Sequence, residues 1–197
     1  SIVAVEVNKM NVFYIGIDNP ITVAVPGYDC SALQVRLSGT GKLISKGNCQ
    51  YIVQVREPGN VDIEIFSTEN GQEKQLGVKK FRVKRIPDPV LRLEDYPSGY
   101  MRPAEIRNAL NRELQAVLEN FEFDAGCLIS QFTIAFPANK SDMIEIPIKG
   151  NRLPAEVLDR LEKLPTPSKI YLLDIRALCA GDNAPRNIAD FVIRIVD

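Results

Sequence analysis

The sequence contains no histidine and no tryptophan in 197 residues. Without histidine, Ser-His-Asp hydrolysis, Cys-His proteolysis, histidine-ligated zinc and HExxH chemistry each lack a required group. The chain also has no apolar run approaching the ~20 residues that a membrane-spanning helix needs. We therefore expect no enzyme activity and no catalytic residues. We also expect no cofactor, no metal site and no membrane span within these residues.

The charge shows no strong excess of either sign. With 24 basic and 25 acidic residues the formal net charge is −1. A chain with this balance creates no overall field that would attract nucleic acid, so we expect no nucleic-acid partner. The two halves differ in charge, because residues 1–86 hold 11 basic and 8 acidic residues whereas residues 87–197 hold 13 and 17.

Five of the basic residues crowd the end of the first half. Lys80, Arg82 and Lys84 alternate with the apolar Phe81 and Val83. This alternation predicts a strand whose charged outer face also protects a sheet edge from pairing. A docking stripe for an acidic partner, or for the acidic second half, is the alternative.

Apolar residues in the first half recur at every second position, as they do in half-buried strands. Turn signals separate these runs, among them Pro26-Gly27, Pro58-Gly59-Asn60 and Asn70-Gly71. We interpret Gly39-Thr40-Gly41-Lys42 as a hairpin turn between two strands. About seven short strands at this spacing predict an immunoglobulin-like β-sandwich over residues 1–86.

Two prolines separated by one residue follow the predicted sandwich. Pro87 and Pro89 fix their own φ angles and push the residues before them into extended conformations. Pro87-Asp88-Pro89 is therefore predicted to be a stiff joint between two domains. The segment 91–102 has little periodicity, and we expect an irregular lead-in to the second domain.

The period of the apolar pattern changes in the second half. Apolar residues recur at helical spacing from Pro103 to Leu118 and again over residues 154–164, where Pro165-Thr166-Pro167 stops the pattern. These two helices and four strands predict a small α+β domain over residues 90–197, with the helices on one face of a mainly antiparallel sheet. The predicted strands are 128–136, 143–148, 169–179 and 188–196.

The four cysteines form two plausible pairs. Cys30 and Cys49 each precede a predicted strand and lie at the same end of the sandwich if the intervening strands form a hairpin. Cys127 opens one predicted strand and Cys179 closes another, so antiparallel pairing would bring them together. Two disulfides would fit an oxidising compartment. Four cysteines allow three connectivities, and four buried free thiols are the alternative.

Several stretches resemble one family of proteins. FRVKRIPDPV, from Phe81 to Val90, resembles the junction between the last two periplasmic domains of the GldM/PorM family. NKMNVFYIGIDNPITVAVPG, from Asn8 to Gly27, resembles the immunoglobulin-like penultimate domain of that family. The stretches that resemble its final domain are LENFEFDAGCLISQFTIAF (118–136), GNRLPAEVLDRLEKL (150–164) and KIYLLDIRA (169–177).

The resemblance implies a component of the type IX secretion and gliding apparatus. It implies that the full-length protein is anchored in the inner membrane, that this portion is periplasmic, and that the protein is a homodimer. Its implied partners are a GldK/GldN- or PorK/PorN-like ring at the outer membrane and, through N-terminal regions outside this sequence, a GldL/PorL-like motor protein. The implied role is a non-enzymatic link between motor and ring.

The lead-in segment is the first candidate for a partner surface. Tyr96, Tyr100, Met101 and Arg102 belong to residue types that are enriched at protein interfaces. Packing between the two domains is the alternative for these four residues. The alternative for the chain as a whole is a free-standing periplasmic or surface module that binds glycan or peptide.

Overall fold

The computed structural model describes residues 4–7, 11–123 and 125–197. The predicted start of the first domain at residue 1 and the first three residues of the Asn8–Gly27 stretch lie outside the described residues. The chain divides into two compact units, Ser1–Ile86 and Pro87–Asp197.

The first unit is a sandwich of two four-stranded sheets. One sheet has the strand order β1-β3-β6-β5 and the other has the order β2-β8-β7-β4. Strands β2 and β8 pair in parallel, whereas the other ladders are antiparallel. The strands are β1 (Ala4–Val7), β2 (Val12–Tyr14), β3 (Asn19–Ala24), β4 (Leu33–Ser38), β5 (Lys42–Gly47), β6 (Gln50–Gln54), β7 (Gly59–Glu69) and β8 (Gln72–Lys84), with a 3₁₀ turn at Cys30–Ala32 before β4.

The alternating apolar residues of these strands form the core of the sandwich. Phe13 and Phe81 stack at its centre, with their ring centroids 4.3 Å apart. Ile63 and Ile65 on β7 are fully buried beside them. The period-2 pattern therefore predicted the inward faces correctly, and the immunoglobulin-like fold of this region is confirmed.

The end of the basic strand does not lie at a sheet edge, so the interpretation as edge protection is wrong for Arg82 and Lys84. Arg82 on β8 pairs with Val12 on one side and with Asn60 on the other, which places this part of β8 inside the sheet. Lys80 and Lys84 are exposed on the outer face, as the alternation predicted.

The glycine-rich segment 39–41 is a crossing between sheets rather than a hairpin, because β4 and β5 belong to different sheets. Gly41 has a φ of +144°, and a Cβ atom there would lie 2.5 Å from the carbonyl oxygen of Gln54. A Cβ on Gly39 would lie 2.8 Å from a methyl group of Val61. Glycine is required because the chain passes this close to Val61 of β7 after it leaves β4 and to Gln54 of β6 before it enters β5.

The second unit is an α+β domain, in agreement with the predicted fold class. Its sheet has the order β10-β16-β14-β12-β11-β9, with β13 added on β12 and β15 on β14. Most ladders are antiparallel, and β10 pairs with β16 in parallel. The elements are β9 (Val90–Arg92), β10 (Tyr100–Met101), a 3₁₀ turn (Pro103–Glu105), α1 (Ile106–Leu110), β11 (Gln115–Val117), β12 (Cys127–Pro137), β13 (Met143–Lys149), α2 (Ala155–Glu162), β14 (Ser168–Cys179), β15 (Arg186–Asn187) and β16 (Phe191–Ile195).

Both helices pack against the same side of this sheet. Helix α2 buries Val157, Leu158 and Leu161 in the cluster that holds Ile134 of β12 and Leu172 of β14. Helix α1 adds Ile106, Ala109 and Leu110 to that cluster. The predicted second helix and its stop before Pro165 are confirmed.

The predicted helix from Pro103 to Leu118 is too long. Helix α1 ends at Leu110, because Asn111 leaves the helical conformation with φ −84° and ψ 56°. The guanidinium of Arg112 donates two hydrogen bonds to the carbonyl oxygen of Asn108, which satisfies a carbonyl of the last turn. The later apolar residues continue into strand β11, which pairs with β9.

Two further expectations for this unit need correction. The lead-in segment 91–102 is not wholly irregular, since it contains β9 and β10. The last predicted strand, 188–196, begins only at Phe191, because Ile188 instead donates its backbone N–H to the carbonyl oxygen of Ile175.

Candidate functional site

The predicted joint is attached to the second unit by its middle and last residues. Pro87 is exposed, whereas Pro89 is buried. The carboxylate of Asp88 accepts a hydrogen bond of 3.1 Å from Nη1 of Arg186. These two residues lie 98 positions apart in the sequence. The Asp88-Pro89 part of the joint is therefore held to the body of the second unit.

Arg186 is itself held firmly from the other side. Its Nε and Nη2 atoms donate to the two carboxylate oxygens of Asp182 at 2.9 and 2.6 Å. The side chain of Asp182 is 1% exposed and that of Arg186 is 14% exposed. The hydrogen bonds to Asp182 raise the pKa of Arg186, burial opposes this shift, and Asp88 adds to it. A two-pronged pair of this kind fixes the direction of the guanidinium as well as its charge.

Asp182 is also hydrogen-bonded to a cysteine of a disulfide. The carboxylate of Asp182 accepts the backbone N–H of Cys179 at 2.9 Å, and Cys179 is bonded to Cys127. The two cysteines stand opposite each other on β14 and β12. We call the series Asp88, Arg186, Asp182, Cys179 and Cys127 the joint anchor.

The second disulfide joins the two sheets of the sandwich. It links Cys30, in the 3₁₀ turn before β4, to Cys49, in the turn before β6. Strands β4 and β6 lie in different sheets. Cys30 and Cys49 thus meet across the sandwich and not at the end of a hairpin.

The four residues of the candidate partner surface have different environments. Met101 is buried in the core of the second unit, so it is not part of any surface, and its inclusion there is wrong. Tyr100, its neighbour on β10, is about half exposed, and the guanidinium of Arg194 lies over its ring at 5.4 Å from the centroid.

Tyr96 and Arg102 form a local network around Glu105. The backbone N–H and Nε of Arg102 donate to Oε1 of Glu105 at 2.9 and 3.0 Å, and the hydroxyl of Tyr96 also bonds to that carboxylate. These bonds, led by the one from the Arg102 backbone, lower the pKa of Glu105, and the bond to Glu105 raises the pKa of Tyr96. The network caps the turn that begins α1. The bond of Tyr96 to Glu105 therefore lies within the second unit, and a partner contact at Tyr96 or Arg102 stays a prediction.

In the part of the chain that the structure describes, no group of three or more Cys, Asp or Glu side chains lies together so that it could hold a metal ion. In the same part of the chain, no helix is long and apolar enough to cross a membrane.

Sequence reasoning missed Arg186 and Asp182. Asp182 lies in the turn after β14, and Arg186, four residues later, begins the two-residue strand β15. In sequence, an acidic and a basic residue at this spacing normally indicate only a solvated loop. Their role depends on contact with Asp88, and no local pattern signals a pair separated by 98 residues.

The geometry defines a class of protein: an immunoglobulin-like sandwich followed by an α+β domain, with a disulfide in each. Residues 2–84 match the GldM third domain, and residues 87–196 match the GldM C-terminal domain. The chain therefore belongs to the GldM family, as the stretches Phe81–Val90 and Asn8–Gly27 predicted, and it is a component of the gliding and type IX secretion type.

Solved structures resemble the chain only weakly. The fibronectin(III)-like modules of Clostridium thermocellum CbhA are 15% identical, with 98% of this chain and 94% of that one covered and a TM-score of 0.31. Domains 5-6 of the S-layer protein SbsC are 11% identical, with 100% and 97% covered and a TM-score of 0.31. The comparison with curated proteins gives no match. None of these likenesses supports an argument about function.

Proposed function

We propose that this chain is a non-enzymatic periplasmic connector, which links an inner-membrane motor to a ring associated with the outer membrane. The observation that carries the proposal is the tandem match, in which the GldM third and C-terminal domains follow each other on one chain. The GldM type is a structural component, so the useful property of such a chain is mechanical rather than catalytic.

The joint supports a mechanical role. Prolines remove the soft φ rotations that a Gly/Ser linker would offer. The joint anchor holds Asp88 to the second unit through Arg186.

The disulfides support a location outside the cytoplasm. Both pairs, Cys30–Cys49 and Cys127–Cys179, are bonded. Such bonds persist in oxidising compartments, among which the bacterial periplasm is one. We therefore keep the periplasm as the proposed location, with the full-length protein anchored in the inner membrane.

The proposed partners are those that the family resemblance implied. They are a second copy of the chain, a GldK/GldN- or PorK/PorN-like ring, and a GldL/PorL-like motor protein reached through N-terminal regions outside this sequence.

Co-purification tests the proposal. The chain is expressed with an affinity tag together with the GldK/GldN-like proteins of its own organism, and we expect a stoichiometric complex that survives gel filtration. The first unit alone, residues 1–86, serves as the matched comparison and is expected to retain less of the ring. Sedimentation of the chain should give about twice its 22.0 kDa mass. A monomer that retains no ring protein would contradict the proposal.

A further inference from the structure

Among the residues that the structure describes, no helix covers one face of the sheet in the second unit. The core residues of its strands point towards α1 and α2, and the alternating residues point to the opposite side, which we call the outer face. Leu128 on β12 and Leu178 on β14 lie directly opposite each other there, and Leu128 is 69% exposed. Tyr100 and Met143 are also exposed large side chains of this face. A soluble domain rarely exposes several such residues on one surface without a use for them.

The outer face contains a groove. Its volume is about 380 Å³, and it lies where the ends of β12 and β13 meet β14 and β16. Its walls are mainly apolar, with two basic side chains among them. The lining residues that the argument uses are Pro137, Met143, Lys169, Tyr171, Arg194 and Val196.

Two of these residues form a pair that is unfavourable in the sheet. Lys169 on β14 stands directly opposite Arg194 on β16. Like charges in directly opposite positions destabilise a sheet. The arrangement becomes favourable when an anionic group lies between the two cations. Arg194 is also held in place, because its guanidinium lies over the ring of Tyr100.

The charge of the outer face differs from the charge of the unit that carries it. Lys149 and Arg176 add to Lys169 and Arg194 on this face, against the exposed carboxylates Glu145 on β13 and Asp174 on β14. The second unit as a whole has 13 basic and 17 acidic residues. Among the described residues that line the groove there are two cations and no carboxylate side chain. The cations are therefore concentrated on one face of an acidic domain.

We infer that the outer face is a docking surface for an acidic segment of a partner protein, in which Asp or Glu side chains alternate with apolar ones. The apolar side chains would fill the groove between Met143 and Tyr171, and a carboxylate would meet Lys169 and Arg194 at its rim. Charge pairs across such a rim contribute specificity and association rate. The inference rests on the proposed function, because it names the surface through which a connector of this type would hold its partner.

Peptide binding by the whole 197-residue chain tests the inference. The probes are two fluorescein-labelled peptides of equal length, one alternating Glu with Leu and one alternating Lys with Leu. Fluorescence anisotropy should show that the acidic peptide binds at least about tenfold more tightly at low salt, and that added salt weakens this binding.

Reversing the charge of Lys169 tests the inference more sharply than the comparison of the two peptides. Lys169→Glu is expected to weaken binding of the acidic peptide about tenfold or more, while raising the melting temperature, because it replaces a like-charge pair with Glu opposite Arg194. If Lys169 had only a structural role, peptide binding and the melting temperature would not change in opposite directions. Met143→Ser tests the apolar part and should weaken binding several-fold. Lys42→Glu on β5 of the first unit is the matched control, and it should leave binding unchanged.

Equal binding of the two peptides, or unchanged binding in Lys169→Glu, would overturn the inference. Binding to anionic phosphatidylserine vesicles that Lys169→Glu abolishes, without peptide binding, would assign the face to lipid instead and would also overturn it. If the ring proteins bind the wild type and Lys169→Glu equally well, the inferred docking surface is wrong, whereas the proposed connector function is still supported. If the acidic peptide binds at this face but the ring proteins do not bind the chain at all, the proposed connector function is wrong.

Discussion

At the scale of single residues, Arg186 connects the start of the second unit to its interior. Its guanidinium bonds to two oxygens of the nearly buried Asp182 and one oxygen of the exposed Asp88. The two contacts have different energetic weights, because a buried charge left without its partner is costly whereas an exposed pair contributes little. Substitution can therefore separate the stability of the unit from the attachment of the joint.

Arg186→Met is expected to lower the free energy of unfolding by on the order of 3 kcal/mol, since it leaves the carboxylate of Asp182 buried without its cation. Asp88→Asn is the matched variant, and it should cost less than about 1 kcal/mol because its side chain is 72% exposed. Urea denaturation of both variants measures the difference. Equal losses in the two variants would contradict the anchor as described.

Glu105 predicts a dependence of stability on pH. The hydrogen bonds from Arg102 and Tyr96 hold the pKa of Glu105 below its ordinary value of 4.5. A carboxyl whose pKa is lowered by folding stabilises the folded state above the unfolded pKa, and this contribution disappears as the pH falls through the folded pKa. Glu105→Gln should therefore be less stable than the wild type at pH 7 and equal to it in strong acid. Thermal unfolding between pH 7 and pH 3 measures this, and a constant difference over that range would refute it.

At the scale of secondary-structure elements, the sequence predicted best where the pattern was long or clearly bounded. Helix α2 lies between Pro154 and Pro165, and both boundaries could be inferred from these prolines. The sandwich strands were evident from their period of two, as on β7. The end of α1 could not be inferred, because Leu114 and Val117 continue a helical spacing while the chain turns into β11.

Elements that depend on distant partners were not predictable. The segment Gly39–Gly41 has the composition of a hairpin turn, but the pairing of β4 with β7 and of β5 with β6 makes it a crossing between sheets. The groove on the outer face likewise arises where the hairpin of β12 and β13 meets β14 and β16, which follow much later in the sequence. In both cases the deciding contacts are long-range, and local sequence does not encode them.

The disulfides should contribute unequally to stability. In the chain-entropy account a cross-link stabilises more when it closes a longer loop. Cys127–Cys179 spans 52 residues and Cys30–Cys49 spans 19. We expect the double alanine variants to lose about 4 and about 3 kcal/mol respectively. Denaturant unfolding gives these values.

Alkylation provides a direct check on the same bonds. The unreduced, denatured protein should show no reactive thiol by intact mass. Four alkylated cysteines would show that the bonds are not formed.

At the scale of the whole molecule, the stiffness of the joint remains a prediction. Small-angle X-ray scattering of the wild type should fit a single relative orientation of the two units. Inserting Gly-Gly-Ser between Ile86 and Pro87 should require a broad ensemble instead, because the insertion restores free backbone rotation outside the joint anchor. The wild type and the insertion variant should unfold at the same temperature. Any difference in scattering would then come from flexibility of the joint and not from destabilised units. Identical scattering from both would contradict the stiff joint.

Parallel pairing in each unit also bears on how the chain resists pulling. Val12–Tyr14 runs alongside Arg82–Lys84, the last residues of β8, and Tyr100–Met101 runs alongside Arg194–Ile195. Tension that enters at the start of the first strand of such a pair and leaves at the end of its partner drives the two strands past each other in shear. The ladder hydrogen bonds then stretch together and cannot open one at a time like a zipper. A unit that is loaded across such a pair would thus yield abruptly at a high force rather than gradually at a low one.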